Sequence, residues 1–126
     1  MKRFFLIFFI LLAVITVKAQ TFVVSEVTPY RDKDRTEAQK MIGSDIKLTF
    51  TDNDVSATAK DSDGVSKTII LKSMGNNVYR RKTSNSDDWD SYDEIQLDTF
   101  LGYIRGFTFT HIHHKTFGGS FKAKRK

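Results

Sequence analysis

After residue 20 the chain keeps a two-residue rhythm. DIKLTFTD (45–52) puts Ile46, Leu48 and Phe50 on one side and Lys47, Thr49 and Thr51 on the other. DVSATAK (54–60) does the same with Val55, Ala57 and Ala59, and EIQLDTFL (94–101) with Ile95 and Leu97. A period of two belongs to a strand with one buried and one wet face. Strands are predicted over 21–27, 45–52, 54–60, 65–73, 77–83, 94–101, 103–113 and 116–125. Asp52-Asn53-Asp54, Asp61-Ser62-Asp63-Gly64 and Met74-Gly75-Asn76-Asn77 separate them as short turns. Pro29 is the one proline, so nothing interrupts the ladders.

Eight consecutive strands cannot lie as one flat sheet without leaving open edges. The pattern predicts an all-β, antiparallel up-and-down barrel, closed or partly open, with a two-sheet sandwich as the alternative. One helix is predicted in DRTEAQKMIG (34–43), with Ala38, Met41 and Ile42 on one face and Gly43 at its end.

The first residues have a different grammar. Lys2 and Arg3 precede an apolar run from Phe4 to Val17, and Lys18-Ala19-Gln20 follows. This is the pattern of a secretory signal peptide, with small residues placing cleavage between Ala19 and Gln20. The run is shorter than the roughly 20 apolar residues of a spanning helix. The expectation is therefore a cleaved leader over 1–19, a single domain over 20–126 with no membrane span, and a periplasmic or secreted location.

Removing 19 of 126 residues leaves 107, enough for one domain with a small core. The leader holds three of the 20 basic residues and none of the 15 acids, so 17 bases face 15 acids, a net charge of +2. That balance gives no argument for a nucleic-acid partner. The chain has no cysteine, so thiol catalysis and disulfide stapling are excluded and packing alone must hold the fold.

The order of leader, strand, short helical segment and a run of hairpins ending in a basic strand resembles the lipocalin-like group of small exported β-barrels. The resemblance is architectural: the G-x-W signature is absent, and the one tryptophan is Trp89. It implies a barrel that holds an apolar ligand and transfers no functional residue.

Three stretches could carry chemistry. In GFTFTHIHHKTFGG (106–119), His111 and His113 share a strand face and His114 lies opposite. Two such imidazoles could hold a metal ion if a carboxylate supplied a third ligand. Tyr103, Phe107, Phe109, His111 and His113 share one parity, which predicts an aromatic inner face ending in the two rings. SNSDDWDSYDE (84–94) is rich in carboxylates but lacks EF-hand spacing; its Trp89 is expected to fold back over the barrel mouth. Arg80 and Lys82 share one strand face, and Lys122, Lys124 and Lys126 another, as outward charged rows.

No nucleophile elbow, phosphate loop or dinucleotide glycine pattern occurs. The leading expectation is an exported non-enzymatic protein holding a small apolar or amphipathic ligand at one open end, with Trp89, Tyr103, Phe107, Phe109 and His111 as contacts. No cofactor is expected beyond a metal ion on His111 and His113. The alternatives are an envelope or protein-interaction module with a filled core, and a metal-binding protein or hydrolase using those two histidines.

Overall fold

A computed structural model describes residues 18–61, 63–85 and 88–126. Eight strands close into one antiparallel barrel in chain order: β1 Lys18–Thr28, β2 Asp45–Phe50, β3 Asp54–Lys60, β4 Ser66–Gly75, β5 Val78–Lys82, β6 Tyr92–Phe100, β7 Tyr103–His113 and β8 Thr116–Arg125. The barrel, rather than the sandwich, is the outcome of the alternation. β1 pairs with β8 as well as β2, so every edge is satisfied.

Residues 1–17 of the expected leader lie outside the described residues. Lys18 and Ala19, its last two, pair with Phe50 and Thr49 at the start of β1.

The middle of the barrel is solid. Phe22, Val24, Leu48, Val55, Leu71 and Ile95 are almost fully buried, and Phe107 packs edge-on against Phe22 at 5.2 Å between ring centres. These are the inward members of the period-2 rows, and burying them is the main drive to close the sheet.

The predicted helix is shorter than its periodicity suggests. A 3-10 turn over Asp32–Asp34 leads into α1, Arg35–Gln39, which buries no residue. Asp34 makes no capping bond through its side chain. Gly43, with φ +93°, donates its N–H to the Val24 carbonyl and Val24 donates to Ser44, so the chain returns to β1 before another turn can form.

Several bulges interrupt the ladders and correct the parity reading. Between Ile104 and Gly106, β7 spends two residues against one on β6. Tyr103 is thereby turned away from the Phe107 row and is 67% exposed, while Ile104 packs against the core. Gly106 is required there, because a Cβ would collide with the Ala123 carbonyl oxygen. A second bulge, in β8 between Phe117 and Ser120, leaves Phe117 exposed although it shares sequence parity with Phe121.

The barrel has two unlike ends. One carries the longer connections: 29–44, 61–65, 83–91 and the His114-Lys115 turn. The other carries the tight turns at 51–53, 76–77 and 101–102, the start of β1 and the end of β8.

Candidate functional site

The longer connections frame an apolar mouth of about 250 Å³. Its walls are Ile46, Ala57, Ala59, Ile69, Phe109 and Phe121, with Ile95 and Phe107 as the floor and Met41 beside the opening. The wall residues face inward with the core rows, yet most are only half-buried. Alanines at 57 and 59 leave space where a larger side chain would fill the lumen, and Phe109 stacks on Phe121 at 5.0 Å across from them.

Lys60, Asp61 and Lys67 stand at the rim. The Asp61 carboxylate accepts N–H bonds from Asp63 at 2.9 Å and Val65 at 3.0 Å, with Lys67 Nζ at 3.6 Å. The Val65 N–H, chiefly, holds its carboxyl below the ordinary value near 3.8. A lowered folded value means that the turn gains stability above 3.8 and loses it as pH falls through the lower, folded value. We expect Val65 amide protection, measured by hydrogen exchange, to fall over that acid range in the native chain and to lose its pH dependence in Asp61→Asn. Unchanged protection across the range in the native chain would refute this assignment.

Beside the mouth lies a polar row that sequence reading missed. Arg81, Asp93 and His111 are direct neighbours on β5, β6 and β7, on the inward parity of Tyr79, Ile95 and Phe109. Asp93 is 7% exposed and uses both oxygens: Oδ2 accepts from Arg81 Nε at 2.9 Å and Oδ1 lies 2.8 Å from His111 Nδ1. A carboxylate only accepts, so Nδ1 carries the proton and neutral His111 presents Nε2 as its acceptor. Gly118 makes room for the ring, since a Cβ there would sit 2.7 Å from His111 Cδ2. The available signal was a lone charge on an inward row, at Arg81 and at Asp93.

A second cavity, also about 250 Å³, lies against His111, His113, Tyr30 and Phe117. The rings of His111 and His113 lie 6.2 Å apart and 25° from parallel. His114 is instead a turn residue with φ +47°. Its N–H bonds to Ser91 Oγ at 3.0 Å, and the Lys115 N–H bonds to the Asp90 carbonyl at 2.7 Å, stitching the acidic loop to the histidine turn.

The predicted contacts divide accordingly. Phe107 and Phe109 line the apolar mouth, and His111 lies beside it. Tyr103 is at the opposite end. Trp89, 39% exposed, packs edge-on to Tyr92 at 6.0 Å with Lys82 Nζ 5.1 Å from its ring, and it lines neither cavity. The outward Arg80, Tyr92 and Lys82 draw the indole to the outer wall: Arg80 itself lies over Tyr92 at 4.7 Å. The carboxylate that reaches the histidines is Asp93, and it comes as a hydrogen-bond acceptor for one ring. Among the described residues, no group of three or more His, Cys, Asp or Glu is arranged to hold a metal ion.

The fold and site define a small closed eight-stranded barrel with a solid waist and one apolar, charge-rimmed mouth. This architecture is consistent with lipocalin-like proteins. No family model, curated protein or solved structure matches the chain.

Proposed function

We propose that the chain is an exported, lipocalin-like binding protein that holds a small amphipathic ligand in the apolar mouth. The observation that carries this reading is the half-open pocket of inward-facing apolar side chains above a fully packed waist. Its volume of about 250 Å³ is below the roughly 300–1,000 Å³ of drug-sized sites. Apolar cavities of about 150 Å³ already hold benzene. The ligand is therefore of one or two rings, or a short acyl chain. Two lysines against one aspartate at the rim favour an anionic head group.

Anilinonaphthalene sulfonate has this chemistry and brightens when its rings leave water. Titration with native protein should give saturable fluorescence enhancement. Ala59→Phe should weaken it by about tenfold or more, because the new ring occupies the space the probe needs. Ala59 is only half-buried, so the folded chain should tolerate the change, which a thermal melt would verify. Equal binding by a folded Ala59→Phe variant would remove the mouth as the site. Absence of binding would move the reading to an interaction module.

A further inference from the structure

The opposite end of the barrel carries a different feature. β5 begins at Val78 opposite Gln96, so the end of β6 runs past it. β8 ends at Arg125, and its last pairing with β7 is Gly106 with Lys124. The β6–β7 hairpin thus runs four residues past its last pairing with β5 and three past its last pairing with β8, a reach of roughly 10–13 Å at the strand rise.

Its tip is apolar. Phe100 is 55% exposed, Leu101 81% and Tyr103 67%. Leu101 also holds φ +50°, a conformation that favours glycine or asparagine. Burial does not account for a leucine at such a position, since its side chain lies in solvent.

A basic groove of about 740 Å³ lies beside this finger on the outer face of β7, β8 and β1. Arg105, Lys122, Lys124 and Arg125 line it with Asp98 and Glu26. Arg105 is paired with Asp98 at 3.1 Å and Lys122 with Glu26 at 3.7 Å, so Lys124 and Arg125 are the surplus cations.

We propose that the β6–β7 finger and the basic groove form a docking surface for an anionic lipid bilayer. Phe100, Leu101 and Tyr103 enter the interface, where aromatic and leucine side chains are stabilised, while the surplus cations Lys124 and Arg125 meet lipid phosphates. Charge complementarity selects a lipid surface over an apolar protein groove, because the surplus cations flank the apolar tip. The position of the apolar tip sets the direction: the tight turns face the membrane and the ligand mouth, at the other end, faces away.

The test is flotation with vesicles of phosphatidylcholine alone and with 30% phosphatidylglycerol added. It uses the protein as recovered from expressing cells, its N-terminus read by intact mass. Native protein should float with the anionic vesicles and lose most of that binding in about 1 M salt, where the Debye length falls to about 3 Å. Phe100→Ser with Leu101→Asn should lower the bound fraction about tenfold or more. Asparagine suits the left-handed position, so this variant should melt no lower than native protein. Lys124→Gln with Arg125→Gln should bind both vesicle types equally weakly.

Failure of native protein to float, or flotation unchanged in both variants, overturns the proposal. The second result would assign any binding to another part of the chain. Flotation tests a surface remote from the mouth, so its outcome is independent of the fluorescence titration.

Discussion

Phe107→Ala is expected to destabilise the barrel by about 3–5 kcal/mol, the range for losing a buried aromatic ring. For a domain of this size, each kcal/mol moves the melting temperature by roughly 4–8 °C. The midpoint should therefore fall by about 12 °C or more. Phe107 is 2% exposed and meets Phe22 at 5.2 Å and Phe121 at 5.9 Å. Around it the hydrogen-bonded ring of strands fixes the wall positions, so the cavity left behind cannot collapse cheaply.

Phe109→Ala is the informative comparison. Phe109 is two residues further along the same face, but it is half-buried and borders the mouth. Its loss should cost only about 1–2 kcal/mol, because part of the ring already meets solvent. Urea melts of the two variants would separate a packed waist from an open mouth. Equal costs would mean that the mouth is as tightly packed as the waist, and the ligand reading would lose its basis.

This contrast also shows how far the sequence reaches. Alternation assigns Phe107 and Phe109 to one face because side-chain parity is a local property of the backbone. It places the ends of β7 and β8 well for the same reason. Parity fails at Tyr103 and Phe117 because each lies beyond a bulge. At Gly106 that bulge is fixed by contact with the Ala123 carbonyl, a partner 17 residues away that composition does not reveal. Trp89 was misplaced for a related reason. Its position is decided by Tyr92 and Lys82 on the outer wall, and Tyr92 faces outward beside Lys82 only through the register of β6 on β5, which the acidic stretch does not reveal.

The polar row was hidden more deeply still. Arg81 reads as one of three consecutive cations, Asp93 as part of an acidic loop, and His111 as one of a histidine cluster. Only the register of three strands makes them one group. Each then explains the others: the carboxylate offsets the cost of a guanidinium on an inward row and fixes the imidazole tautomer.

That interdependence makes Asp93→Ala the second large effect. It removes both acceptors at once and leaves the Arg81 Nε–H and the His111 Nδ1–H without their partners. An orphaned buried donor costs about 1–3 kcal/mol. Side-chain exposures of 40% for Arg81 and 36% for His111 let water replace part of the loss, which places the expected cost near 2 kcal/mol on that same scale.

Stability alone would not separate this role from packing, so the tautomer supplies the second readout. In native protein the imidazole nitrogens of His111 should show the proton held on Nδ1 by nitrogen NMR. In Asp93→Ala that preference should vanish, while Arg81→Leu, which keeps the carboxylate, should retain it. Adding Arg81→Leu to Asp93→Leu should recover stability relative to Asp93→Leu alone, because the stranded cation is gone. If Asp93→Ala leaves both the melting temperature and the His111 tautomer unchanged, the row is three side chains in proximity and no more.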